Sequence, residues 1–259
     1  MSLNGLRPAS MHGLVMAGGA GSRMRASGAQ EPKPLVAVGG VSVLERNIAA
    51  LVRAGVRDVT VAASRGHEDI ARFVDGAAAR VRAVGGTLGL VQEDRPLGSL
   101  GVAGIVGKDE DHVVVVNADN VTALDLRRVV EHHVGGDAAM TIGVHREAFT
   151  MPFGRVVADV HGRVRAYDEK PTATFTVSSA VCVLAPAARD ELRPPRFVML
   201  ADFVNGLLTS GAHVASFPHD APWIDVNDLA ARQRAEVMVA ADPDRFPTLA
   251  SLATTGVLR

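Results

Sequence analysis

The sequence predicts an α/β protein built on a mostly parallel, doubly wound sheet. Three observations carry that expectation. Short apolar runs alternate with helix-period segments through the first 145 residues, an order that lays crossover helices on both faces of a parallel sheet. Four consecutive valines, Val113 to Val116, form a run apolar on both sides, as a central strand requires. Glycines and capping residues punctuate the alternation where helices start or stop.

Taken in order, residues 14–17 read as a short buried strand, continued by 35–38 after a glycine-rich stretch. Ser42-Val43-Leu44-Glu45 fits the capping box and opens a helix to about Ala54, where Gly55 stops it. Residues 56–63 read as a strand, 67–79 as a helix, 87–91 as a strand and 97–107 as a glycine-broken helical stretch. The valine strand spans 112–118, followed by a helix over 124–134 and a strand over 138–144. The pattern then changes. Residues 155–160 and 164–169 flank a His161-Gly162 turn and read as a hairpin. A strand over 175–184, a helix over 199–210, a strand over 213–218 and a closing helix over 228–241 complete a smaller mixed β layer. No hexapeptide array is present, so no β-helix tail is expected.

Bulk composition narrows the function classes. With 259 residues, 47% apolar and 21% charged, the chain can bury a sizeable core and reads as soluble and globular. A net charge of −1 gives no reason to expect nucleic-acid or membrane-surface binding. No apolar run reaches the roughly 18 to 20 residues of a membrane-spanning helix. Residues 1–12 read as a flexible start without signal-peptide design, and the expected location is cytoplasmic. Cys182, the single cysteine, lies in an apolar run and reads as a structural thiol. None of the nine histidines forms a metal-binding pattern; His132-His133 reads as surface or helix-end chemistry.

The most informative stretch is Gly18-Gly19-Ala20-Gly21-Ser22-Arg23-Met24-Arg25, followed by Pro32-Lys33-Pro34. Glycines let backbone N–H groups approach an anion, and an arginine adds a planar fork for phosphate oxygens. The chain holds 24 arginines but only three lysines, at 33, 108 and 170. Such a bias points to lysine where a compact ammonium on a flexible stem is wanted. A dinucleotide G-x-G-x-x-G fails at Met24, and the Gly-Lys-Ser/Thr of a Walker loop is missing. Alone, the loop reads as an anion-binding turn or as a glycine turn with a solvated arginine. Asp119, in Asn117-Ala118-Asp119-Asn120, sits where such sheets bind ligands and where a divalent cation finds oxygen. It also reads as a turn or capping aspartate, although Asp125 is the better cap.

The arrangement G-x-G-x-R-M-R…P-K-P-L resembles the sugar-1-phosphate nucleotidyltransferases, known for G-x-G-x-R-L-x-P-x-T-x-x-x-P-K-P-L, with the mannose-1-phosphate guanylyltransferase-like branch nearest. Arg23 to Lys33 keeps the family's ten-residue step, while Ala26-Ser27-Gly28 replaces its Pro-Leu-Thr. The resemblance implies a Rossmann-like fold and a reaction joining an NTP to a sugar-1-phosphate or cyclitol phosphate, with Mg²⁺, to give an NDP-sugar and pyrophosphate. It implies that Ala17, Gly18, Gly19, Gly21 and Ser22 wrap the triphosphate, and that Arg23 and Lys33 are catalytic. By the same resemblance Gln92 or Glu93, with Gly98 and Ser99, reads the base. Pro96-Leu97-Gly98-Ser99 leans toward GTP. Asp119, and Asp225 in Trp223-Ile224-Asp225-Val226, take the metal-ligand roles. Gly154, Glu169, Lys170 and Ser178 take the acceptor-binding roles.

Two segments depart from the family pattern. Val177-Ser178-Ser179-Ala180 stands for V-N-A-G, and Asn227-Asp228 for Gly-Thr. The implied organisation is one domain over 13–259, with a nucleotide half over 13–145 and an acceptor half over 146–241. Two alternatives stand beside it: a catalytically silent sugar-nucleotide-binding subunit, and a cytidylyl- or molybdopterin-type nucleotidyltransferase. The latter share the G-x-x-x-R-M opening but lack E-K-P. The sequence leaves oligomeric state open, a homo-oligomer included.

Overall fold

A computed structural model describes residues 10–18, 32–109 and 111–255. Gly19, Gly21, Ser22, Arg23 and the Ala26-Ser27-Gly28 stretch lie outside the described residues, as do residues 1–9. In chain order the first half contains β1 (Met11–Met16), β2 (Ala37–Val38), β3 (Val41–Ser42), α1 (Val43–Arg53), β4 (Asp58–Ser64), α2 (Glu68–Ala83) and β5 (Thr87–Glu93). Then come β6 (His112–Asn117), β7 (Asn120–Thr122), α3 (Leu126–Gly135) and β8 (Met140–Thr150). The second half adds β9 (Arg155–Ala158), β10 (Val164–Asp168), β11 (Thr172–Leu184), α4 (Pro186–Asp190) and α5 (Leu200–Thr209). It closes with β12 (Val214–Pro218), β13 (Trp223–Asp225), α6 (Leu229–Ala241) and α7 (Leu249–Thr255).

Seven strands form one sheet in the order β12-β8-β11-β6-β1-β4-β5. All run parallel except β11, which is antiparallel to both β6 and β8. Alternation along the central strands explains the two-sided covering. Val15, Val114 and Val116 face one apolar cluster, with Leu44, Ile48 and Ile70. Leu14, Val113 and Val115 face the other, with Leu100, Leu192 and Phe203. Local signals set the helix starts. The Ser42 hydroxyl accepts the Glu45 N–H at 3.2 Å, the Asp125 carboxylate accepts the Arg127 N–H at 3.0 Å, and Asp228 accepts the Ala231 N–H at 2.7 Å. Each satisfies an N–H that the helix itself leaves open. Cys182 is buried, and burial pushes its thiol up to about 12, which suits a structural role.

Three expectations are corrected. Residues 35–38 do not continue the first strand. Lys33–Leu35 is a single 3-10 turn, and β2 pairs only with β3 through the positive-φ turn Gly39-Gly40. The stretch 97–107 keeps only a 3-10 turn over Gly101–Gly104. Its glycines are pressed against the chain at 192–198, where a Cβ on Gly98, Gly101 or Gly104 would meet backbone of Val198, Arg196 or Leu192. Close packing to that segment, rather than helix propensity, decides its shape. His133 is not on the surface. It is buried in the last turn of α3, where its ring bonds Thr141 Oγ1 at 2.8 Å and His112 Nδ1 at 3.0 Å.

The positions of β1, β6 and β8 put their C-terminal ends on one edge. Met16 pairs with Asn117, and Val144 of β8 pairs with Pro218. Beyond that edge β8 and β11 run on as a two-stranded arm, pairing Val144 with Ser178 through to Thr150 with Thr172. Its outer residues are largely exposed.

Burial, then His112 and His132, push the His133 imidazole down to about 4. An unfolded histidine takes a proton near pH 6.5. The depressed folded value therefore contributes stability above pH 6.5 that is lost as pH falls toward 4. Urea unfolding is expected to show a lower midpoint at pH 5 than at pH 7.5. His133→Gln should remove part of that difference.

Candidate active site

Three residues far apart in sequence meet at the C-terminal edge. Asp119 follows β6, and β7 pairs antiparallel with β13 so that Asn120 stands opposite Asp225. The Val226 N–H donates to the Asp119 carbonyl at 2.8 Å, which locks the two aspartates to one small ladder. That ladder is tied to the core by Asn120, which is buried. Its side-chain amide donates to the Asn117 carbonyl at 3.1 Å, and its own carbonyl accepts from Asn47 of α1 at 3.1 Å. Lys33 enters from its 3-10 turn. Its Nζ donates to Asp119 Oδ2 and to Asp225 Oδ1, both at 2.9 Å. The ammonium side chain is 14% exposed and the carboxylates 37% and 39%, so the pair faces the solvent from which a ligand would come. Asn227 donates to the other Asp225 oxygen at 3.3 Å.

The donor set fits one kind of cation. Among the described residues no group of three or more His, Cys, Asp or Glu could hold a metal. Two carboxylates alone do not make a resident structural site. Mg²⁺, however, is ordinarily held by one or two carboxylates together with substrate phosphates and water. Asp119 and Asp225 therefore fit a hard divalent ion that arrives with a phosphate ligand.

On the β1 side, Ala17 donates its N–H to the Ala62 carbonyl at 2.7 Å, and the Gly18 carbonyl accepts from the Ser64 hydroxyl at 3.1 Å. A Cβ on Gly18 would come 3.0 Å from Glu93 Oε1. Glu93 is itself buried, and its other oxygen accepts the Leu97 N–H at 2.8 Å. It braces the turn into Pro96-Leu97, whereas Gln92, next to it on β5, is exposed. Gly98 adopts φ +78° under the Val198 backbone, a conformation and a space that only glycine meets without strain. The Ser99 hydroxyl accepts the Leu200 N–H at 2.7 Å at the start of α5. The base-reading candidates Gly98 and Ser99 are thus also packing contacts of the 198–200 segment.

On the arm side, Gly154 lies against the Tyr167 hydroxyl, which donates to Glu169 Oε2 at 3.2 Å. Glu169 and Lys170 are exposed, and Lys170 takes φ +45°. Arg155 holds Asp168 through two bonds of 3.0 and 2.6 Å, fixing the hairpin that carries them. The Ser178 hydroxyl accepts the Ala180 N–H at 3.3 Å at a register shift between Ser178 and Cys182. Ala180 takes φ +57°, so the chain keeps a left-handed residue where the family pattern has glycine.

The same shift turns Ser179 inward, and here the structure gathers groups that no sequence pattern marks. Ser179 Oγ lies 2.8 Å from His145 Nδ1 and 2.7 Å from His219 Nε2. The Ser179 carbonyl accepts the Trp223 indole N–H at 2.9 Å, and the His145 and Trp223 rings are 4.7 Å apart. Residues 145, 179 and 219 sit on three different strands or their ends, so no spacing could reveal them. Only the missing asparagine and glycine at 178–180 hinted that this corner differs.

Comparison with known proteins places the chain. The family model described as nucleotidyl transferase matches residues 12–236, and the chain belongs to that family. It is 27% identical over 226 residues to a mannose-1-phosphate guanyltransferase of Pichia angusta, covering 83% of this chain and 60% of that protein. It is 31% identical over 160 residues to a mannose-1-phosphate guanylyltransferase of Mycobacterium tuberculosis, covering 61% of this chain and 43% of that one. The chain thus spans less than two thirds of the length of either relative. Among solved structures it superposes on HddC from Yersinia pseudotuberculosis complexed with GMP-PN, with a TM-score of 0.66, 19% identity and coverage of 88% and 99% of the two chains. A putative glucose-1-phosphate thymidylyltransferase from Bacillus anthracis, in complex with a sucrose, gives a TM-score of 0.66 at 20% identity, covering 88% and 94%. Both confirm the α/β fold.

A left-handed alanine costs about 1–2 kcal/mol relative to its preferred backbone. Ala180→Gly is therefore expected to stabilise the protein by about 0.5–1 kcal/mol, after glycine's own entropic cost. Thermal unfolding of the two proteins checks this; a lower midpoint for Ala180→Gly would contradict the strain argument.

Proposed function

We propose that this nucleotidyl transferase family member joins an NTP to a sugar-1-phosphate or related polyol phosphate, releasing an NDP-sugar and pyrophosphate. The observation that carries the reading is Lys33 shared between Asp119 and Asp225 at the C-terminal sheet edge. The guanylyltransferase relatives and the Pro96-Leu97-Gly98-Ser99 segment favour GTP among the triphosphates. We assign residues 13–145 to the nucleotide and 146–241 to the acceptor, and we place the reaction in the cytoplasm. No helix among the described residues is long and apolar enough to cross a membrane.

The chemistry asks little of acid–base groups. A phosphate monoester is already mostly dianionic at neutral pH, since its second pKa is about 6. Its oxygen forms a bond to the α-phosphorus of the NTP while the bond from that phosphorus to the α–β bridging oxygen breaks. Pyrophosphate carries away the electron pair. The work left to the protein is to align two anions and to offset charge as it moves. Lys33 is suited to that work. An ammonium has three N–H donors, and its two carboxylate bonds leave one for a phosphate oxygen. Asp119 and Asp225 would hold Mg²⁺, which would supply positive charge to offset that of the phosphates. Arg23, outside the described residues, is assigned to the departing pyrophosphate.

The remaining assignments follow the packing. Because the Glu93 carboxylate braces Leu97, Gln92 is the better candidate to pair with the base edge. Gly154, Glu169, Lys170 and Ser178 line the arm side and are assigned to the acceptor. Lys170 takes its phosphate and Glu169 its hydroxyl hydrogens. With Lys33, Asp119 and Asp225 all in place, turnover is favoured over a silent binding role.

A pyrophosphate-release screen of GTP, ATP, CTP, UTP and dTTP against hexose- and cyclitol-1-phosphates tests the reading. Turnover is expected with at least one pair, GTP foremost, and its absence throughout would sink the proposal. Lys33→Ala and Asp119→Ala should each lower kcat by at least about 100-fold, the scale of losing a main electrostatic contributor. Excess EDTA is expected to abolish release, and full activity in its presence would exclude the assigned roles of Asp119 and Asp225.

A further inference from the structure

The arm made by the outer ends of β8 and β11 has two unlike faces. Phe149 stands opposite Ala173, and Glu147 opposite Phe175. Opposite residues, and residues two apart on a strand, share a face. Phe149 and Phe175 therefore lie together, with ring centroids 5.9 Å apart. Met151, whose N–H donates to the Pro171 carbonyl at 3.0 Å, continues the same face. The other face carries Arg146 and a run of threonines, with the hydroxyls of Thr150 and Thr172 2.9 Å apart. The β9–β10 hairpin repeats the division. Val156 stands opposite Tyr167, and Val164, opposite Ala158, falls on their side, while Arg155 and Asp168 pair on the other. Among the described residues β9 and β10 pair only with each other.

Alternation of this kind belongs to a ribbon with one face packed and one face wet. Yet Phe149, Met151, Val156, Val164, Tyr167 and Phe175 are each between 46% and 63% exposed. A two-stranded ribbon is at best marginally stable in water unless its apolar face is covered. Soluble monomers rarely expose contiguous apolar patches beyond a few hundred Å². Taking about 150–250 Å² for a whole aromatic side chain and somewhat less for Val and Met, these six leave on the order of 600 Å² in solvent. A standard interface buries roughly 800 Å² on each partner, a little over half of it apolar. The six side chains alone reach that apolar share.

Charge indicates what covers the arm. Residues 146–175 hold five basic and four acidic side chains. Arg155 is paired with Asp168, and Arg165 with Asp159. A polyanion or an anionic membrane would find little excess positive charge to hold it. A second arm of the same composition would meet no net repulsion. Two-fold pairing sets the same patch of each chain against itself and is the commonest symmetry of soluble oligomers. We propose that the apolar face of the arm is a dimer interface, occupied by the same face of a second copy of this chain. The inference does not depend on the transferase reading.

Sedimentation velocity of the full chain, from micromolar to hundreds of micromolar, tests this without any turnover. A species of twice the 27.1 kDa chain is expected at the upper concentrations. Phe149→Asp and Phe175→Asp each set a charge in the apolar face. Each is expected to weaken the dimer at least about 30-fold, the scale of a central aromatic contact. Thr174→Asp sets the same charge on the opposite face and should change the dissociation constant by no more than about twofold. Circular dichroism checks that each variant is folded. Where an aspartate variant is not, the milder Phe149→Ser takes its place, with weakening of at least about tenfold expected. A monomer at every concentration overturns the proposal and leaves the face to another occupant. A dimer that Phe149→Asp and Phe175→Asp leave intact, or that Thr174→Asp disrupts as strongly as they do, overturns it as well.

Discussion

One ammonium held between two carboxylates organises the working edge of this protein. Asp119 and Asp225 are brought together by the β7–β13 ladder, and without an intervening cation their charges would repel. Lys33 supplies that cation from a turn that the flanking prolines stiffen. The arrangement sets side by side two carboxylates, the donors that a hard divalent cation takes. It also keeps the lysine, through most of its stem, out of bulk water. Because all three groups are partly exposed, their mutual attraction is screened and modest. A site of that kind can exchange partners with a ligand from solvent, where a deeply buried triad could not.

Everything beneath the edge serves to hold it still. The central strands bury apolar side chains on both faces, so β6 and β1 deliver Asp119 and Gly18 from a rigid floor. Asn120 and Asn47 tie the ladder to α1. On the far side, Gly98, Gly101 and Gly104 let the 192–198 segment lie directly on the chain that follows β5. Arg189, fully buried, donates to the carbonyls of Val106 and Asp111 and closes the same region from below. The segment after β5 is therefore positioned by backbone contact, which gives that end of the sheet a firm boundary.

Much of this was legible in the sequence, and the unread portion shares a cause. The valine run, the capping serine and the capping aspartates act through neighbours a few residues away, so β6, α1, α3 and α6 could be placed. Lys33 stood out by lysine scarcity, Asp119 by its place after the valine strand and Asp225 through motif resemblance, and the structure brings those three into contact. Gln92 and Glu93 are alike in the motif and differ only in packing: Glu93 braces a turn, whereas Gln92 is exposed. Residues 35–38 looked like a strand continuing the first because they are apolar, but the prolines before them and a double-glycine turn after them leave them no partner in the main sheet. His133, read as surface or helix-end, is at the helix end but buried, because its hydrogen-bond partners come from β6 and β8. The His145–Ser179–His219 cluster has no local signature, since it depends on a register shift in one strand.

That strand has a consequence for how the protein can change over time. β11 leads two lives: residues 181–184 pair with β6 inside the core, while residues 172–177 pair only with the exposed end of β8. The bulge between them uncouples the two. Substitutions or length changes in the outer part cost little burial within the chain and leave the central strands in register. The inner part is held by the central valines. The fold thus separates a piece that must be inherited intact from a piece free to drift, and places the boundary within a single strand.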